Sequence, residues 1–360
     1  MLKQSALRKS PTSCARQHEY PAQDIYYRHM RFHFFIACIG IVLALPSAAM
    51  AQSIGSSIEG TPFTVSVRPQ YPTPRSQADV SFLSTSLDLA NALLTVSVAG
   101  KEIYRGAVQP VGITLGSAGS VANVKVTISS GGVSHSQTLF IQPQDVILVT
   151  EPISSAPPLY LGKPLVPIGG GVRVVAMANL RDARGKTIDP ANLSYAWTVD
   201  NTQIANSSGI GKTAIMVASP LQYRARSVSV AVTSQNGSLV GGASLSLMTQ
   251  EPSVRLYRND PLLGIRFDHA LSGEYAINSA ETALYAAPFS LPTTGGAPLL
   301  QWSLNGSPAQ TGNSITLRPA GKGQGNASLS LVASAGNSTT VTTDLSLLFG
   351  KESSFNVFGL

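Results

Sequence analysis

The chain has 360 residues, with 25 Lys+Arg against 18 Asp+Glu, five histidines and two cysteines. Charged residues make up only 12% of it, too few and too scattered for the basic face that nucleic-acid binding needs. Ser, Thr, Val, Gly and Ala are abundant, a mix that suits short strands and tight turns and argues against a helical protein.

Residues 1–29 are polar, carry Lys3, Arg8, Lys9, Arg16 and Arg28, and show no periodicity. Either they form an unusually long leader region or translation starts at Met30, which is the favoured reading. Met30 and Arg31 open a segment in which residues 34–45 run without a charge. Pro46 then breaks any helix, and Ala49 and Ala51 put small residues at −3 and −1 of a cleavage site before Gln52. This is the pattern of a secretory signal peptide over residues 30–51. The apolar run is too short for a membrane span, which needs about 20 residues. Cleavage removes both cysteines, Cys14 and Cys38, so no disulfide or zinc-thiolate site is expected. It also removes six of the Lys+Arg and two of the Asp+Glu, leaving 19 against 16.

The remaining chain is long enough for three sandwich domains of about 100 residues. Three segments read alike. Leu94, Val96 and Val98 alternate with polar residues before Ala99-Gly100. Tyr195, Trp197 and Val199 do so before Asp200-Asn201, and Leu300, Trp302 and Leu304 before Asn305-Gly306. Alternation closing on a turn dipeptide marks a half-buried strand entering a hairpin. Downstream, strands around Ile113, Ile215 and Ile315 and paired strands ending at Ile141, Leu247 and Leu347 keep the same order. The fold expected is all-β: three tandem immunoglobulin-like, PKD-like β-sandwich modules after a signal peptide. The boundaries expected are 52–61 for a linker, 62–148, 149–250 and 251–349 for the modules, and 350–360 for an apolar tail. Glu151-Pro152 and Glu251-Pro252 are read as module starts. Residues 154–171, rich in Pro and Gly, read as a linker or an irregular first strand. Trp197 and Trp302 are expected to fill the gap between two packed sheets.

These stretches resemble PKD-like, immunoglobulin-like modules, and more closely those of poorly characterised exported proteins of candidate-phyla bacteria. The likeness lies in Tyr71-Pro72-Thr73-Pro74, Leu87-Asp88-Leu89-Ala90, Val174-Val175-Ala176-Met177, Tyr195-Ala196-Trp197-Thr198-Val199 and Ala270-Leu271-Ser272-Gly273. It implies spacers, adhesion units or protein contacts, and brings no catalytic residue. The first module departs from it by holding Val96 where the others hold tryptophan.

Several motifs mislead. Leu291-Pro292-Thr293-Thr294-Gly295 matches a sorting signal, but no apolar span and basic tail follow it closely. Gly209-Ile210-Gly211-Lys212-Thr213 resembles part of a phosphate loop, but Asn206 stands where that pattern needs glycine. His135 and His269, the latter at an expected strand end, have no second ligand at metal spacing. No catalytic, cofactor-binding or metal-ligating residue is expected. The function read from this is a non-catalytic structural or adhesive protein of the bacterial envelope, exported to the periplasm or surface, with service to a pilus or other surface apparatus as one expected role. Its partner would be an envelope or surface protein. The alternative is glycan binding through Tyr160, Tyr257, Tyr275 and Tyr285. The tail residues Phe355, Val357, Phe358 and Leu360 are candidate contacts, either as an edge strand on their own module or as a strand added to a partner.

Overall fold

The structure is a computed structural model and describes residues 62–320, 323–336 and 339–350. Ala49, Ala51 and Gln52, and the tail residues Phe355, Val357, Phe358 and Leu360, lie outside the described residues.

Three immunoglobulin-like sandwiches follow one another. The first contains β1 (Thr64–Arg68), β2 (Gln77–Leu83), β3 (Leu93–Val98), β4 (Lys101–Ala107), β5 (Val111–Thr114), β6 (Ala122–Ser130) and β7 (Val133–Ile141). One sheet has the order β1-β2-β5 and the other β4-β3-β6-β7. The second contains β8 (Asp145–Pro152), β9 (Gly171–Asn179), β10 (Ser194–Val199), β11 (Thr202–Gln203), β12 (Gly209–Ile210), β13 (Ala214–Ala218), β14 (Ala225–Thr233) and β15 (Val240–Met248). Its sheets, β13-β9-β8 and β11-β10-β14-β15, repeat the first pattern. Alternation explains both: Val172, Val174, Ala176 and Ala178 of β9 face Val228, Val230 and Val232 of β14 across one buried cluster, with the intervening residues, such as Arg173 and Met177 of β9 and Ser227 and Ser229 of β14, outward. Two such faces hide each other's apolar side from water, which one sheet alone does not.

The third sandwich is larger. It contains β16 (Ser253–Asp260), β17 (Gly264–Leu271), β18 (Gly273–Ile277), β19 (Thr282–Phe289), β20 (Leu299–Leu304), β21 (Ser307–Thr311), β22 (Ser314–Leu317), β23 (Gly325–Ala335) and β24 (Thr339–Phe349). β17 folds back on β16 as an extra edge strand, giving the order β17-β16-β19-β22. The chain then crosses to the other sheet, where β18 pairs in parallel with the end of β24, Gly273 opposite Leu345 and Ile277 opposite Phe349. His269 therefore lies within β17, exposed, rather than at a strand end.

The tryptophans hold equivalent places. Each is buried, and each indole N–H donates to a backbone carbonyl two residues before a short strand of the opposite sheet, β13 or β22: Trp197 to Lys212 and Trp302 to Gly312, both at 2.8 Å. Lys212 thus serves as a carbonyl cap on an indole. In the first module Phe63 and Phe82 bring aromatic volume to a core centred on Val96. All three hairpins after the central strand turn through left-handed pairs, Ala99-Gly100, Asp200-Asn201 and Asn305-Gly306. That turn matches the twist of the flanking strands.

The modules are tied closely. Only Gln142, Pro143 and Gln144 separate β7 from β8. β8 runs across position 149 and pairs with β9 over its whole length. Glu151-Pro152 ends β8, whereas Glu251-Pro252 precedes β16, so the two Glu-Pro pairs are not equivalent. Gln144 is buried at the first junction. Its amide oxygen accepts from the Arg181 N–H at 2.8 Å, and its amide nitrogen donates to the Arg181 carbonyl at 3.0 Å. Tyr71 packs on Gly242 of β15. Gly119 has φ +82°, and a β-carbon there would stand 2.5 Å from the Asp182 carbonyl oxygen and 2.8 Å from that of Arg181.

These contacts give a paired prediction. Gly119→Ala should cost more stability than Gly100→Ala, whose φ is +83° but whose side faces open space. Both pay the left-handed backbone term of about 1–3 kcal/mol; only the first displaces the neighbouring module. Urea denaturation of the mature chain compares them, and equal losses would remove Gly119 from the junction.

Candidate functional site

Residues 154–171 are neither a linker nor a first strand. Residues 154–170 form the loop between β8 and β9, Gly171 opens β9, and the loop lies against the third module. Ile153, Ser154 and Ser155 run antiparallel to Ser290, Leu291, Pro292 and Thr293. The Ser155 N–H donates to the Leu291 carbonyl at 2.8 Å, and the Ser290 N–H to the Ser155 carbonyl at 3.0 Å. The Leu291 N–H donates to Ser155 Oγ at 3.1 Å, and the Thr293 N–H to the Ile153 carbonyl at 3.2 Å. Leu291 is buried in the third core. The sorting-signal lookalike is therefore an inter-module latch.

Beyond the latch the loop turns over the outer face of the β17-β16-β19 sheet. In β16, Val254 and Leu256 point into the core, so Arg255 and Tyr257 point out. In β19, Leu284 and Ala286 point in, so Tyr285 and Phe289 point out. β17 adds Phe267, and the loop adds Tyr160. These rings meet edge to face. Tyr160 and Phe289 have centroids 5.7 Å apart at 83°, Tyr257 and Phe267 5.1 Å at 70°, and Phe267 and Tyr285 6.2 Å at 88°. The Arg255 guanidinium stands 5.8 Å from the centre of the Phe289 ring. Each such pair contributes about 0.5–1.5 kcal/mol beyond area burial; Tyr160–Phe289 is the pair that joins the loop to the sheet, and the others lie within the sheet.

Tyr160, Tyr257, Phe267 and Phe289 border an open cleft of about 570 Å³ between the two modules. Its rim is apolar and wet. Tyr160 is 46% exposed and Phe267 38%, while Leu159 and Leu161 are 93% exposed and fully exposed. Leu159 reaches that position through a left-handed backbone, φ +61°, between Pro158 and Tyr160. Next to the cleft, Glu251 accepts from the Tyr223 hydroxyl and the Gln222 amide, both at 3.1 Å. That hydrogen bond holds the Tyr223 hydroxyl above the usual phenol range. Burial raises Tyr285 in the same direction.

Three of the four tyrosines singled out in the sequence thus share one face: Tyr160, Tyr257 and Tyr285. Tyr275 does not. It lies on β18 and packs against the third core. Phe267, Phe289, Arg255, Leu159 and Leu161 were not anticipated. A signal for the strand residues existed, because β16 and β19 carry apolar residues at inward and aromatic residues at outward positions.

No protein-family model matches this chain. No curated protein matches it either. Among solved structures it is similar to three N-terminal domains of the outer capsid protein Hoc of bacteriophage RB49, at 14% identity, covering 79% of this chain and 98% of that one, with a TM-score of 0.24. It is similar to fibronectin(III)-like modules of Clostridium thermocellum CbhA, at 10% identity, covering 57% and 95%, with a TM-score of 0.23. It is also similar to the Bacteroides ovatus protein SGBP-B, at 12% identity, covering 78% and 65%, with a TM-score of 0.20. Likenesses this distant say nothing about a site or a partner.

Among the described residues, no group of three or more His, Cys, Asp or Glu is placed to hold a metal, and no helix is long and apolar enough to cross a membrane. His135 sits on β7 opposite Ile128. The ion pairs Arg173–Glu151 and Arg266–Asp268 face solvent, where a pair contributes about 0–1 kcal/mol.

Proposed function

We propose that this is a non-catalytic, exported interaction protein of the bacterial envelope, related to PKD-like modules, and that it makes its contact through the cleft between the second and third modules. One observation carries the reading. Apolar side chains on a latched loop stand in water beside an aromatic sheet face. An exposed apolar patch rimmed by polar residues marks an interaction site, and Leu159 and Leu161 stand exposed among the described residues.

Glycan binding is the second reading, supported by the gathering of Tyr160, Tyr257 and Tyr285. Sugars stack on flat ring faces, however, and the ring pairs here stand at 70–88°. A protein segment that inserts side chains between rings suits that geometry better.

A photo-crosslinking amino acid at Leu161 tests both address and site in cells making the full chain. The expected product is a covalent adduct with an exported protein, formed by a chain whose intact mass begins at Gln52. A crosslinker at Val133, exposed on the first module, should give none. Uncleaved cytoplasmic chain, or equal adducts from both positions, would reject the reading.

A further inference from the structure

We propose that Met216 is a modification site: oxidation of its thioether to the sulfoxide loosens the latch between the second and third modules. The inference does not depend on what the cleft binds. Methionine commonly fills irregular gaps in cores. The three buried clusters here are built from Val, Leu, Ile, Ala and aromatic residues, and none contains a methionine. The described residues hold three methionines, Met177 on β9, Met216 on β13 and Met248 at the end of β15, and all three side chains are exposed. A dissolved oxidant therefore reaches them without the fold opening.

Met216 also belongs to the junction. A β-carbon built on Gly171 would stand 3.5 Å from Met216 Cε, 3.6 Å from Thr294 Cγ2 and 3.8 Å from Ile153 Cδ1. Three methyl groups thus close over one backbone position, and Thr294 comes from the third module. The latch runs through the same spot. The Ile153 N–H donates to the Gly171 carbonyl at 2.9 Å, and the Ile153 carbonyl accepts from the Thr293 N–H at 3.2 Å. Met216 is nevertheless 56% exposed. One side chain is thus both open to oxidant and part of the inter-module packing.

The step balances with a peroxide as oxidant. A lone pair on Met216 Sδ attacks one oxygen of hydrogen peroxide, and the O–O bond breaks as the S–O bond forms. The hydroxide released takes the proton left on the sulfur-bound oxygen and departs as water. The sulfur gives up two electrons and the peroxide takes them. An apolar thioether becomes a polar, chiral sulfoxide. Its oxygen has two places to go. Over Gly171 it faces the methyl groups of Ile153 and Thr294, which offer no donor, and a buried acceptor without a donor is costly. Turned outward it meets water or the guanidinium of Arg173, which stands directly across from Met216 on β9. That turn swings Cε off the cluster, because oxygen and methyl share one sulfur. Either way the packing over Gly171 is lost.

The test treats the mature chain with hydrogen peroxide and follows hydrogen–deuterium exchange by mass spectrometry. Peptide masses should show one oxygen gained at Met216. The latch amides of Ser155, Ser290, Leu291 and Thr293 should then exchange at least about fivefold faster, while those of β14 keep their rates. Met216→Leu keeps the volume without the thioether, so its latch should exchange alike before and after peroxide. In the Met177→Leu/Met248→Leu chain, where Met216 is the last thioether of the three, the response should persist. Methionine sulfoxide reductases should reverse it there. A Met216 left unoxidised while Met177 is converted overturns the proposal. So do latch amides indifferent to a converted Met216, and so does a peroxide response that survives Met216→Leu. If the leucine variant is loose before peroxide, the double variant decides: a reversible response upholds the proposal and its absence ends it.

Discussion

Trp197→Ala and Trp302→Ala should each destabilise their own module by about 3–5 kcal/mol, among the largest losses available to a single substitution here. Two terms combine. Each indole is one of the largest fully buried side chains, surrounded by both sheets of its sandwich. Removing it also leaves a carbonyl without its indole donor, at Lys212 or Gly312. Trp→Phe separates the terms, because it keeps most of the volume and loses only the N–H. It should cost about 1–3 kcal/mol, the range for an unsatisfied buried polar group. Guanidinium denaturation of the mature chain measures all four variants. If Trp→Phe costs as much as Trp→Ala, the hydrogen bond dominates and the packing argument fails.

The sandwiches were legible in the sequence because a strand's pattern is local. Val96, Trp197 and Trp302 each sit between polar neighbours and before a turn pair, and those pairs adopt the left-handed backbone that such hairpins need. The site was legible only in part. Tyr160 and Tyr257 lie 97 positions apart, and nothing local brings a loop of the second module onto the third. That placement depends on Ser155 pairing with Leu291, a contact 136 residues long in sequence. A strand ending near His269 was expected, but its return onto β16 and the strand β18 were not, because Leu262 and Leu263 at the hairpin tip are apolar yet exposed. The change of sheet at Ser272 and Gly273 leaves no periodic trace. The Glu-Pro pairs misled for a related reason: equal spacing in sequence did not mean equal place in the fold.

The latch makes the thermal behaviour of the second and third modules a single event. Tandem modules with small interfaces melt separately by default. Here four hydrogen bonds cross between the modules at the latch. At about 1 kcal/mol each they couple unfolding by about 4 kcal/mol, or roughly 10²–10³ in the equilibrium constant. Edge-to-face rings add to this through Tyr160 and Phe289. The chain provides its own reporters, since its two tryptophans fall one in each of these modules. In the Trp197→Phe background Trp302 reports the third module, and in the Trp302→Phe background Trp197 reports the second. Without further change, the two fluorescence melting curves should coincide once each is referred to calorimetry of its own variant. Ser155→Pro removes the N–H that donates to Leu291 and the hydroxyl that accepts from it. It should part the curves by several degrees, with the third module, which draws Leu291 into its core, melting first. Ser155→Ala keeps the backbone pairing and should part them little. Calorimetry that shows separate transitions for the two modules before Ser155 is touched would mean that the latch carries no coupling.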